Sequence, residues 1–453
     1  MTSEYNDVLS MIKEIQISNE TQPIKNPSKV PEIVLNEEQQ TAIDMIKDGK
    51  NIFLTGPGGV GKSFLIREIV KRFEAEGKNV GVTSLTGMSS LLIGSGARTI
   101  HSWSGLGVGN KSALSYFEFI RKCLAKKREA WRTTDILIID EISMMSDEYF
   151  EKLDEVGRLM RWRHNKPFGG IQIVCLGDFF QLPPINTKFV FESPKWNETL
   201  DCVVFLNTIY RQTDTVFQDI LNEIRFGRVS KETDTLLKSR LNLDFSKNEI
   251  QPTKIFTRKS MVDEINQEGL MKIDGESFTY KIVTKGKVSS EAIRNALNNM
   301  DKSAPYVPEL TLKVGAQVML KVNLDIEAGL VNGKVGIVTS CGKESVIVRF
   351  NGHSMPTVIK YHNWVLEDYE SVYRSQIPLI LAYAITTHSS QGATLDSAYI
   401  DIGMSVFEYG QAYVALSRVK SLDALYLHSY DKRAIRAHPK VVEYYESLMG
   451  DDE

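Results

Sequence analysis

Between Asn51 and Asp178 the apolar residues fall in short unbroken runs, IFLT (52–55), NVGVTS (79–84), DILIID (135–140) and IQIVCLGD (171–178). Strands buried on both faces read as continuous apolar runs rather than as an alternation, so these four predict a parallel sheet covered by helices. The stretch from Ser63 to Glu76 carries Leu65, Ile69 and Phe73 at helical spacing and stops at Gly77. The same pattern returns in weaker form at VVFL (203–206) and TKIFT (253–257), with helices expected over 214–226 and 260–271. From Leu310 the pattern changes to short alternating runs, LTLKVGAQVML, GLVNGKVGIV, ESVIVRF and TVIKYHNWVL, with Asn332-Gly333 as a hairpin signal. Strand and helix alternation resumes at Ile377 and ends in a helix near Met449.

These patterns predict a tail or linker over 1–30, where TQPIKNPSKVPE supplies three prolines among polar residues. An α/β domain follows over 31–200, with a small insertion at about 95–130. A second α/β domain covers 201–310 and 376–453, interrupted over 311–375 by a small β-barrel.

Composition narrows the functions available. The chain has 453 residues, 42% hydrophobic and 25% charged, which excludes wholesale disorder. Lys plus Arg number 54 against 57 Asp plus Glu, so any nucleic-acid site must be a local groove. Cys123, Cys175, Cys202 and Cys341 stand far apart without a CxxC pair, which argues against zinc, an iron–sulfur cluster or a disulfide framework. The longest apolar run, Ile377 to Ile385, is under half of the ~20 residues a membrane span needs. No secretory or transit pattern opens the chain, so a soluble, intracellular protein without a membrane partner is expected.

The loop after the first strand reads GPGGVGKS: Gly56, Pro57, Gly58, Gly59, Val60, Gly61, Lys62, Ser63. It satisfies G-x-x-x-x-G-K-[ST] between a strand and a helix, the context in which backbone amides and the helix N-terminus cradle phosphates. Lys62 would span the β- and γ-phosphates of ATP, and Ser63 would ligate Mg²⁺. The strand DILIID ends in two acids. Asp140 is placed to hold Mg²⁺ through water, and Glu141 to activate an attacking water, which favours hydrolysis over transfer to an acceptor. Gln181, in LGDFFQLPP, can contact the γ-phosphate without competing for the metal. Arg211 in IYRQTD and Arg418 in QAYVALSRVKS are candidate second-domain arginines, worth roughly 10³ to 10⁵ in rate where such fingers operate.

The ordered set LNEEQQTAI, GPGGVGKS, SLTGMSSLLIGSGARTIHSWSGLG, IIDEISM, IYRQTD, THSSQGATLD and QAYVALSR, together with residues 150–184, resembles superfamily-one DNA helicases of the petite-integration-frequency (PIF) type, related to RecD-like 5′→3′ motors. The resemblance covers about residues 35–430. It implies two RecA-like domains and a Src-homology-three-like inserted barrel. It implies that Gln39 reads adenine and that Lys62, Ser63, Asp140, Glu141, Gln181, Arg211 and Arg418 form the ATPase. Thr86, Gly87, His101, Thr257, His388, Ser390 and Gln391 match segments that touch single-stranded DNA. Ser389 stands where such helicases usually have lysine. The implied substrates are single-stranded DNA and duplex DNA with a single-stranded tail, and a monomer is the expected form.

Two basic runs, RKCLAKKREAWR (121–132) and RLMRWRHNK (158–166), carry Trp131 and Trp162 and suit either solvated helix faces or phosphate tracking with base stacking. Trp103, in a glycine-rich stretch beside His101, is the better candidate for stacking or strand separation. Three readings compete with a helicase: a P-loop kinase, an ATP-gated DNA clamp that does not unwind, and an RNA-directed enzyme.

Overall fold

Six strands pair into one parallel sheet in the computed structural model, which describes residues 35–450 apart from 95, 367, 368 and 370. The tail expected over 1–30 lies outside the described residues. The strands are β1 (Ile52–Thr55), β2 (Val80–Ser84), β3 (Arg98–Thr99), β4 (Ile136–Asp140), β5 (Gln172–Gly177) and β6 (Cys202–Phe205), ordered β3-β2-β4-β5-β1-β6. Alternate residues face opposite layers. Ile52, Leu54, Ile138 and Val174 pack with Leu65, Ile69 and Phe73 of the helix Lys62–Ala75. Phe53, Leu137, Ile139 and Ile173 pack with Phe150, Leu153 and Val156 of the helix Asp147–Arg161. Each such fully buried aliphatic or aromatic side chain is worth ~1.5 to 3 kcal/mol against exposure.

The chain starts a second parallel sheet at β7 (Thr253–Phe256) and then leaves it for an antiparallel region. That region holds β8 (Phe278–Lys281), β9 (Val283–Lys285), β10 (Glu309–Leu312), β11 (Gln317–Leu320), β12 (Val335–Cys341), β13 (Ser345–Phe350), β14 (Thr357–Lys360), β15 (His362–Val365), β16 (Tyr373–Gln376) and β17 (Leu379–Leu381). Five of these strands form one antiparallel sheet in the open order β14-β13-β12-β11-β17. Strands β8 and β10 pair with each other, and β15-β16-β9 form a third sheet. The chain then returns through β18 (Ala384–Thr386), β19 (Ala398–Ile402) and β20 (Leu425–Tyr430), and the second parallel sheet reads β18-β7-β19-β20.

Four features depart from the sequence pattern. The run VVFL (203–206), expected to open the second α/β domain, is β6 and pairs in parallel with β1 at the edge of the first sheet. The apolar run Ile377–Ile385 contains two strands of different sheets, β17 on β11 and β18 on β7, and no breaker residue marks the change. Asn332-Gly333 forms a turn closed by Lys334 N on Val331 O (3.0 Å), but the turn ends a long connection between β11 and β12 rather than joining the two strands directly as a hairpin. A Cβ on Gly333 (φ +94°) would lie 2.9 Å from the Thr394 carbonyl oxygen, so glycine serves a close approach there. The final helix, Pro439–Gly450, buries Val441 and Tyr445 in the core of the first sheet, not the second. Among the described residues no helix is long and apolar enough to cross a membrane.

Candidate functional site

Strand β1 runs into the phosphate loop, whose tight path needs glycine. Gly59 sits at φ +98°, and a Cβ there would lie 2.6 Å from Cβ of Arg211. The helix Lys62–Ala75 opens at its end, leaving amide groups and the positive end of the helix dipole at the loop. Lys62 Nζ donates to the carbonyls of Gly56 (2.7 Å) and Pro57 (3.1 Å). Burial lowers its pKa, against the opposing pull of Asp178, Glu141 and Asp140.

The acids stand at the C-terminal end of β4, the functional edge of a parallel sheet. Burial, then Glu141, pushes the Asp140 carboxyl up to about 7, and burial raises that of Glu141. Glu141 adopts a left-handed backbone (φ +57°), and its Oε2 accepts a hydrogen bond of 2.9 Å from Nε2 of Gln391. Gln181 is buried just beyond β5, and a Cβ on Gly410 would lie 2.4 Å from its carbonyl oxygen, so the second domain presses on that loop.

Both candidate arginines reach the phosphate loop from beyond β6. A Cβ on Gly58 would lie 3.5 Å from Nη1 of Arg211 and 3.5 Å from Nη2 of Arg418. Arg211 Nη1 donates to the Ser417 carbonyl at 3.2 Å. Arg418 is buried just past the helix Gln411–Leu416 and donates to Val414 O (2.7 Å), Ser417 Oγ (2.6 Å) and Ser390 O (3.5 Å). Burial, then the neighbouring Arg211, lowers it to about 9. Two guanidiniums, one ammonium and a ring of amides form a set complementary to a polyphosphate.

Gln39 is buried on the helix Glu37–Lys47, accepts from Asn36 N at 3.2 Å, and places Nε2 3.3 Å from a Cβ built on Gly61. Several neighbours escaped sequence reasoning. Tyr210, half exposed beside Gly61, accepts from Asn36 Nδ2 at 3.0 Å. Tyr413 accepts from the Gly58 amide at 2.9 Å. Gln212 donates to the carbonyls of Ser417 (3.2 Å) and Val419 (3.1 Å). Behind the loop, Asp178 accepts from Arg225 Nε (3.0 Å) and Nη2 (2.9 Å). All but Arg225 sit in stretches the motifs had marked, but the pattern there singled out the charged or catalytic-looking neighbour.

A cleft of about 1900 Å³ lies between the domains. Thr86, Gly87 and His101 line one side, and Thr257, His388 and Ser389 the other. Burial lowers the pKa of both histidines, which disfavours their charged form. Thr386 caps this turn: Ser389 N donates to Thr386 Oγ1 (3.1 Å), whose hydroxyl in turn donates to Ser389 Oγ (2.8 Å).

Three expected cleft residues stand elsewhere. Trp103 belongs to the short helix Ile100–Ser104, is 5% exposed and packs on Trp131 with ring centroids 4.7 Å apart, so it is a core residue unavailable to a base. Ser390 is fully buried and its hydroxyl donates to Thr387 O at 2.7 Å. Gln391 points to Glu141, on the phosphate side. Trp131 is also core, with Nε1 donating to Ser104 O at 2.9 Å, whereas Trp162 is exposed at a left-handed backbone position.

A divalent cation has hard oxygen donors at this edge. The Ser63 hydroxyl is exposed at the first turn of its helix, and Ser84, paired with Asp140 across β2 and β4, has a buried Oγ without a hydrogen-bond partner among the described residues. That donor chemistry fits Mg²⁺ with retained waters.

Comparison with known proteins agrees with this geometry. Residues 34–235 match the family model for the PIF1-like helicase, and residues 296–341 match that of the DNA helicase Pif1 2B domain. The chain is similar to the ATP-dependent DNA helicase PIF1 of Xenopus laevis, 36% identical over 442 residues, covering 93% of this chain and 67% of that protein. It thus spans about two thirds of that relative's length. Pif1 helicase from Candida albicans superposes with a TM-score of 0.75 at 34% identity, covering 92% of this chain and 100% of that one. Bacteroides sp Pif1 in complex with ADP-AlF4 gives 0.78 at 30% identity, covering 93% and 98%. The same helicase bound to ssDNA gives 0.65 at 31% identity, covering 92% and 98%. A phosphate loop met by Arg211 from the connection after β6 and by Arg418 from the second sheet's side, in a chain with these relatives, places the protein in the PIF1-like family of ATP-dependent DNA helicases.

Proposed function

We propose that this chain hydrolyses ATP, with Mg²⁺, at the seam between its two parallel-sheet domains, and that it uses the resulting closure and opening to move 5′→3′ along single-stranded DNA and separate duplex ahead. The observation that carries the reading is the convergence of Arg211 and Arg418 on Gly58: Arg211 reaches it from the connection that leaves the first sheet after β6, and Arg418 from the second domain, opposite the phosphate loop. Hydrolysis and domain motion are then one event.

In this reading Gln39 and Tyr210 hold the adenine, the Gly56–Ser63 loop holds the phosphates, and Ser63 and Asp140 hold Mg²⁺. The cation would neutralise phosphate charge. Glu141 takes the proton of the attacking water, Gln181 contacts the γ-phosphate, and the arginines stabilise the charge that develops on it. Thr86, Gly87 and His101 grip the strand from one domain, Thr257 and His388 from the other. Such groups contact phosphate and sugar and are indifferent to sequence, which suits a motor. One chain carries both sides of the cleft, so a monomer suffices.

Unwinding of duplexes bearing a 5′ or a 3′ single-stranded tail tests this reading. Separation of the 5′-tailed duplex alone supports it. Separation of the 3′-tailed duplex alone refutes the polarity, and ATP turnover stimulated by DNA without separation of either identifies a clamp.

A further inference from the structure

The turn that follows β18 touches both functional regions. The helix Thr387–Ser390 is a single turn, anchored by Thr387 Oγ1 on Phe256 O (3.4 Å) and closed by the Gln391 amide on His388 O (3.2 Å). Its two middle residues, His388 and Ser389, line the inter-domain cleft. Its far end reaches the phosphate side: Ser390 O accepts from Arg418 Nη1 at 3.5 Å, and Gln391 Nε2 donates to Glu141 Oε2 at 2.9 Å. One helical turn is too short to bend between its ends, so a displacement of His388 and Ser389 is transmitted to Ser390 and Gln391.

Glu141 is suited to receive such a signal. Its backbone sits in the left-handed region (φ +57°, ψ +39°), which a non-glycine residue keeps only when its surroundings hold it there. Its carboxylate is held by a neutral amide from the other domain, across a separation of 250 residues.

We propose that Gln391 is a positioning residue that couples occupancy of the cleft by single-stranded DNA to the orientation of the Glu141 carboxylate. The inference rests on the reading of Glu141 as base and of the cleft as the DNA site. Gln391 contacts neither the nucleic acid nor the nucleotide; it sets the angle of the group that takes the proton from water, and DNA in the cleft sets Gln391.

The test uses the full chain with Gln391→Ala and Gln391→Glu, the second keeping the length but losing the donor. ATP turnover is measured with and without a saturating oligo-dT strand, and the affinity for that strand by fluorescence anisotropy. The expected result in both variants is a fall in the DNA activation ratio, turnover with DNA over turnover without it, of roughly 10- to 100-fold, the worth of a hydrogen bond to a carboxylate, with strand affinity unchanged. Equal loss of turnover with and without DNA leaves the ratio intact and overturns the proposal. So does loss of strand binding, which would make Gln391 part of the grip, and so does wild-type behaviour of Gln391→Glu. A wild-type enzyme that DNA does not stimulate refutes the helicase reading and this inference together; a stimulated wild type with equally stimulated variants refutes the inference alone.

Discussion

Replacing Arg225 by methionine should disturb the molecule well beyond the surface helix that carries it. Arg225 closes the helix Thr215–Arg225 of the second domain, yet its guanidinium makes two hydrogen bonds, of 3.0 and 2.9 Å, to the fully buried Asp178 of the first. It also lies over Phe180 (4.7 Å), Phe226 (5.3 Å) and Tyr445 (5.4 Å). Tyr445 in turn meets Thr55 Oγ1 at 2.5 Å and accepts from Phe179 N at 3.3 Å. Thr55 is the last residue of β1 before the phosphate loop. Removing one partner of a buried pair leaves a charge without compensation, at a cost of ~3 to 5 kcal/mol. Methionine keeps much of the apolar stem, so the carboxylate dominates that cost. The double variant Asp178→Asn/Arg225→Met removes the stranded charge and should cost less than Arg225→Met alone. Urea unfolding followed by circular dichroism reads the stability, and a fluorescent ADP analogue reads the phosphate loop. A loss below ~1 kcal/mol for the single variant, or a double variant whose cost equals the sum of both singles, would refute the reasoning.

Glu141→Gln should bind ATP and single-stranded DNA and fail to turn ATP over; hydrolysis at the wild-type rate would remove Glu141 from its assigned role. Lys321 is buried, its Nζ has no hydrogen-bond partner among the described residues, and burial lowers its pKa from 10.5 to about 8. The unfolded chain therefore holds more protons than the native one between those values, so stability should rise with pH through that window. Lys321→Met should stabilise at pH 7 by up to about 3 kcal/mol, at ~1.4 kcal/mol per unit, and the gain should vanish above pH 10.5; a gain independent of pH would contradict this account. Trp103→Ala should cost ~3 to 5 kcal/mol as a core deletion, whereas His101→Ala should weaken strand binding with little change in thermal unfolding. The reverse pattern would return Trp103 to the DNA.

The sequence pattern was most informative where one residue type has one physical use. The unbroken apolar runs became parallel strands because both faces of the first sheet are covered, and Lys62, Asp140, Arg211 and Arg418 converge because each is the charge its loop or strand end supplies. Neighbours defeated it where environment decides. Trp103 and Trp162 are alike in sequence, each near basic or glycine-rich stretches, but one packs on Trp131 and the other is exposed. Gln391 stands two residues after the last cleft-lining residue, Ser389, and only the end of a four-residue helix turns it toward Glu141. Arg225 and Tyr445 carried no motif at all, because their partners Asp178 and Thr55 are far away along the chain. The placement of the last helix on the first sheet likewise depends on Val441 and Tyr445 finding a long-range core that periodicity cannot name.

If the two sites act as one machine, DNA held between the domains drives ATP turnover at the phosphate loop. Steady-state ATP hydrolysis with and without single-stranded DNA, with Lys62→Ala as the blank, tests it most directly. DNA should stimulate turnover strongly, and the stimulation should disappear in Lys62→Ala. Turnover that is indifferent to DNA, or stimulation that survives in Lys62→Ala, would contradict it.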